Sequence, residues 1–183
     1  MPILGVIASS TRQGQATDTG VMFPIFTTTV TSTAASITFS NIPSTYTHLQ
    51  LRGITITGAS LGSDLIMRYN SDTGNNYSLH GNFTGGTNAS SYNNINYGYA
   101  SCGIQGQSAG PASFICDILE YKNTSIYKTS RAISAFQNNS QGNLYAISSN
   151  WRNTNAITTI SIQAYPSNNF LQGTVISLYG LLG

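Results

Sequence analysis

The sequence predicts an all-β protein, an antiparallel sandwich of the jelly-roll kind with an extended N-terminal arm. Two observations carry this. Apolar residues recur with period two along most of the chain, and no segment shows a 3.6-residue apolar stripe. Gly, Asn, Pro and Asp also interrupt the pattern at short intervals, as turns between short strands require. Hydrophobic residues make up 40% of 183 positions, enough for one domain to bury a sizeable core.

The elements follow in order. Ile25–Thr31 is Thr-rich and β-branched, and Ala35–Phe39 alternates until Asn41-Ile42-Pro43-Ser44 stops it. His48–Ile56 sets its leucines and isoleucines on one face, with Gly53 read as a bulge. Leu65–Tyr69 is followed by the turn Asn70–Asn76, and Tyr77–Phe83 resumes a strand. Residues 84–111 are dense in Gly and Asn and read as a long aromatic-decorated loop, with one strand near Asn94–Cys102. Strands return at Ser113–Tyr121, Tyr127–Phe136, Leu144–Trp151, Ile157–Ala164 and Thr174–Tyr179. Such a set suits a sandwich, with an up-and-down barrel as the other closed solution. Residues 1–22 lack this pattern and form an arm, leaving residues 23–183 as the β domain.

Composition narrows the function. Only 7% of residues are charged, while Ser, Thr and Asn fill about a third of the chain. A typical soluble domain is about a quarter charged. Neutral polar surface can be buried at contacts more cheaply than charge, so the chain suits an assembly. The net charge of +2 comes from scattered Lys and Arg, which makes no basic stripe for nucleic acid. No stretch approaches the ~18 apolar residues of a membrane span. The opening Met1–Ser10 lacks the basic start of a signal peptide, so secretion by that route is not expected. Cys102 and Cys116 lack metal-ligand spacing and read as free thiols.

Catalytic candidates are few. His48 and His80 stand in strands, away from any nucleophile elbow. Asp117 and Glu120 are three apart, so along a strand they face opposite sides, which disfavours a glycosidase pair. Arg131 and Lys122 are placed to pair with them across a hairpin. Asn70–Asn76 resembles a calcium loop but lacks its anionic charge and terminal Glu, so an Asx-type turn is expected. No enzyme activity, metal or cofactor is expected. Tyr92, Asn93, Asn94, Tyr97 and Tyr99 could meet a glycan or a neighbouring subunit, since Tyr faces stack on sugar rings and also pack well in wet interfaces.

Several segments carry a family resemblance. Met1–Ser10, Ile42–Gly53, Met67–His80, Asp117–Tyr121, Tyr127–Thr129 and Ser177–Gly180 together span nearly the whole chain. In these the sequence resembles small virion structural proteins of tailed bacteriophages, especially aquatic and cyanobacterial ones. The resemblance implies a capsid decoration (cement) protein or a tail-fibre component located in the virion, and it brings no catalytic residues. A single domain without coiled coil, repeats or shaft favours decoration. On this reading Pro2, Ile3, Leu4, Val6 and Ile7 form the virion-attachment segment, docking on the major capsid protein, and the β domain self-associates as a homotrimer. The alternative is a tail-fibre or receptor-binding component that meets a tail protein through its arm and host-surface glycans through its Tyr/Asn-rich loops.

Overall fold

The structure, a computed structural model, describes residues 22–58, 63–83, 89–104, 110–137, 142–165 and 168–183. The predicted arm, with Pro2, Ile3, Leu4, Val6 and Ile7, lies outside them. Twelve strands are present among the described residues: β1 Met22–Thr29, β2 Ser36–Phe39, β3 His48–Thr55, β4 Ser63–Tyr69, β5 Tyr77–Phe83, β6 Ala89–Ile95, β7 Gly98–Ile104, β8 Ala112–Leu119, β9 Lys128–Gln137, β10 Gly142–Trp151, β11 Ile160–Tyr165 and β12 Val175–Leu181. They form two antiparallel sheets, ordered β1-β12-β3-β8-β9-β10-β5-β6 and β2-β11-β4-β7. Both sheets have ends, so the molecule is a sandwich and the barrel alternative falls away.

The strand order explains the asymmetry of eight strands against four. Without the hairpins β5–β6 and β9–β10, the sheets read β1-β12-β3-β8 and β2-β11-β4-β7. This is the nested pairing of a jelly roll, first strand with last and second with second-last. The two hairpins add on beyond β8 and widen one sheet only.

Alternation places the core. Ile37 and Phe39 of β2, Leu65 and Met67 of β4, and Ile160 and Ile162 of β11 point inward from the smaller sheet. Leu49 and Leu51, Phe114, Cys116 and Ile118, and Ile176 and Leu178 meet them from the larger one. Where β7 crosses β9 and β10 the facing residues are small. Ala100, Ser101, Ser130, Ala132 and Ser149 are all buried there, and the Tyr99 N–H donates to Ser149 Oγ at 3.1 Å. Small side chains let the two backbones approach closely.

Three local expectations change. Residues 84–111 hold two strands, β6 and β7, rather than one strand in a loop. Gly and Asn are poor strand formers, and pairing with β5 and β4 overrides that preference. Gly53 marks no bulge, because β3 pairs with β12 and β8 without a register shift there. Its role is steric, since a Cβ at this position would lie 2.5 Å from the Phe114 ring. Register shifts lie instead in the β4–β7 and β5–β6 pairings and between Pro24 and Phe26 of the edge strand β1, where a proline is tolerated and further pairing is blunted. Finally, β8 stops at Leu119, so Glu120, with a φ of 50°, belongs to the turn.

Candidate apolar groove on the larger sheet

Outward-facing side chains of the larger sheet line up in rungs, because antiparallel register sets them side by side about 4.8 Å apart. One rung runs Gln50, Asp117, Arg131, Ser148, His80, Ser91 across β3, β8, β9, β10, β5 and β6. The next runs Arg52, Ile115, Ile133, Ala146, Asn82, Ala89. A third runs Ile54, Ser113, Ala135, Leu144. Over β8, β9, β10, β5 and β6 these rungs enclose a groove of about 880 Å³. The inserted hairpins therefore build most of it.

The groove has an aliphatic middle and a polar border. Ile133 and Ile115, 59% and 43% exposed, line its middle, and Ile54 and Leu144, 53% and 50% exposed, stand in the neighbouring rung outside its lining. Four large aliphatic side chains held outward on one face form a patch of the kind that marks an interaction site. Along the border, Asp117 accepts from Gln50 Nε2 at 2.6 Å and from Arg131 Nε at 3.0 Å. Gln50 Oε1 in turn accepts from Arg52 Nε. The expected pairing of Arg131 with Asp117 is thus present. Lys122 makes no ion pair among the described residues, and the Glu120 carboxylate instead lies 3.9 Å from His48 Nδ1.

The histidines take ordinary roles. The Glu120 N–H donates to His48 Nδ1 at 3.0 Å, so His48 fastens the end of β8 to the start of β3. His80 is exposed in the groove border opposite Ser148 and Ser91, and hydrogen-bonds to neither. Among the described residues no three His, Cys, Asp or Glu side chains gather to hold a metal. Cys116 is buried and unbonded, and burial first, then the neighbouring Asp117 charge, pushes its thiol up to about 12. The side chain of Cys102 lies outside the described set. No helix among the described residues is long and apolar enough to cross a membrane.

The calcium-like loop is a turn. Asp72 accepts from the Gly74 N–H at 2.8 Å, Asn76 Nδ2 at 2.9 Å and Trp151 Nε1 at 2.7 Å. Desolvation acts to raise its carboxyl pKa, but these three donors outweigh it and hold the pKa below the ordinary carboxylate value. The Tyr/Asn candidates do not converge. Tyr92 and Asn93 lie on the edge strand β6, and Asn94 accepts from Arg152 Nη2 at 2.7 Å. Tyr97 instead packs against Tyr99 and Tyr165, with centroids at 5.6 and 5.3 Å, on the outer face of the smaller sheet. Tyr165 was readable only as the outward position that follows Ser161 and Gln163 in the alternation of β11.

The sequence also concealed a buried lysine. Lys128 is fully buried, and its ammonium donates to the carbonyls of Asn123, Ile126 and Thr154 at 2.5, 2.9 and 2.9 Å. Burial lowers its pKa, and the three carbonyls match its three protons. It ties the β8–β9 turn to the segment after β10.

No family model and no curated protein matches the chain. Among solved structures, the catalytic domain of PdAgaC aligns with 90% of this chain and 76% of its own, at 8% identity and a TM-score of 0.21. That likeness is too low to carry an argument about fold or activity.

Proposed function

We propose that the protein is a non-enzymatic virion structural protein of tailed bacteriophages, a capsid decoration protein that adds copies of itself to a shell of major capsid protein. The observation that carries this reading is the aliphatic outer face of the larger sheet. Ile54, Ile115, Ile133 and Leu144 are held in register toward the outside of a domain with almost no charged surface. Such a face gains by burial, and weak charge gives little repulsion between copies. Pro2–Ile7 is the attachment segment, and the β domain supplies self-association as a homotrimer. The alternative, a tail component gripping host glycans through Tyr92, Asn93, Asn94, Tyr97 and Tyr99, loses support because these residues split between an edge strand and the far sheet.

Copy number in purified virions, measured against the major capsid protein by quantitative mass spectrometry, tests the proposal. Hundreds of copies per particle are expected. A handful would place the protein in the tail, and none would remove it from the virion.

A further inference from the structure

We infer that the groove over β8, β9 and β10 is the seat for the Pro2–Ile7 segment of a neighbouring copy, so that copies are joined by exchanged arms. The inference rests on the reading of Pro2–Ile7 as an attachment segment and gives it a neighbouring copy, in place of the major capsid protein, as the surface that receives it.

Chemical match is the first argument. Residues 1–10 carry no charged side chain and five aliphatic ones within six positions. The groove floor offers Ile115 and Ile133 flanked by Ala135 and Ala146, and no carboxylate or ammonium stands in those two rungs over β8–β10. An aliphatic segment buries there without stranding a charge.

Direction and reach are the second. Met22 pairs with Leu181, at the same end of the sheet as His48 and Thr129. The Ile115–Ile133 rung lies four residues, ~13 Å, further along the strands, in the direction in which β1 runs. β1 therefore starts on the side of that rung where His48 and Thr129 stand, and runs toward it. Residues 8–21 are 14 positions of chain, a length that spans up to ~45 Å when extended. That length reaches a groove in an adjoining molecule and also exceeds the ~23 Å to the chain's own groove, so the cross-link below is chosen to tell the two apart. A contact of this kind joins two different surfaces, so it propagates and closes into a ring if the rotation between copies allows.

Two cysteines test the pairing directly. In a Cys102→Ser background, Ile7→Cys combined with Ile133→Cys is oxidised mildly and run on a non-reducing gel. Bonds between copies, giving dimers and larger species, are expected. A bond within one chain, or none, overturns the inference. Sedimentation equilibrium gives the second readout. Leu4→Asp, which lies outside the β domain, and Ile133→Asp should each weaken self-association at least tenfold, with the melting temperature unchanged for Leu4→Asp. Mixing the two variants should restore pairing in part, because one intact arm then meets one intact groove. A wild-type monomer, or unchanged association in the Leu4→Asp variant, also overturns the inference. Both readouts are made without particles, so absence from the virion would sink the decoration proposal and leave this result standing.

Discussion

Asp72 and Lys128 show how single side chains hold loops that sequence reading treats as interchangeable turns. Asp72 fixes its own turn through Gly74 and Asn76, and it fixes the core through the buried Trp151, whose ring packs on Tyr69 at 5.4 Å. In Asp72→Asn one accepting oxygen becomes a donor NH2, so either the Gly74 N–H or the Trp151 indole and Asn76 amide lose their acceptor. Asp72→Asn is expected to cost about 1–3 kcal/mol at pH 7, the usual range for a hydrogen bond to a charged group. Because the native pKa is lowered, this contribution is fully present above the ordinary carboxyl value of 3.8 and is lost as pH falls through the lower native value. The gap between variant and wild type in urea melts should therefore close at strongly acid pH and stay constant between pH 6 and 8. Gly180 acts through space instead, since a Cβ there would run into the Tyr46 ring. Alternation alone marks only a strand position at Gly180.

At the scale of elements, the packing of β7 against β9 and β10 matters most. The two sheets meet there through Ala100, Ser101, Ala132 and Ser149, and a larger side chain has nowhere to go. Ala100→Leu is expected to destabilise the protein by about 1–3 kcal/mol through overpacking. Chemical denaturation should show a lower midpoint with an unchanged slope. The same element was the hardest to read. Gly98, Ala100, Ser101 and Gly103 have low strand propensity, and only pairing with β4 and contact with the opposite sheet make them a strand. By contrast β11 and β12, with strict alternation of buried Ile and Leu, were legible to within a few residues.

The whole molecule closes first strand on last. β12 lies between β1 and β3, with Thr27 pairing with Ser177 and Ser177 with Arg52. Nested pairings of this range form slowly and all at once. A chain ending at Gly173 lacks β12, separates β1 from β3 and exposes Leu49 and Leu51. It is expected to lose its cooperative thermal transition, which near-ultraviolet circular dichroism would detect. A surviving sharp transition would mean that the inserted hairpins fold independently of the jelly roll. The groove belongs to this scale too. Ile115, Ile133 and Ala146 come from three strands, and each alone reads as one apolar residue of no consequence.

The sequence by itself determined the class: period-two alternation with turn residues between short segments admits an all-β sandwich or barrel, and the two open-ended sheets decide for the sandwich. It also identified the Asp117–Arg131 pair and the turn at Asp72, because both depend on neighbours a hairpin or a few residues away. Tertiary structure decided the rest. Which outward residues share a rung depends on register between strands far apart in the chain, so the groove was invisible before pairing was known. The burial of Lys128 among three carbonyls depends on a turn and a segment from opposite ends of two hairpins meeting in space. The separation of Tyr92 from Tyr97 follows from the same cause, since five residues of chain cross from one sheet to the other.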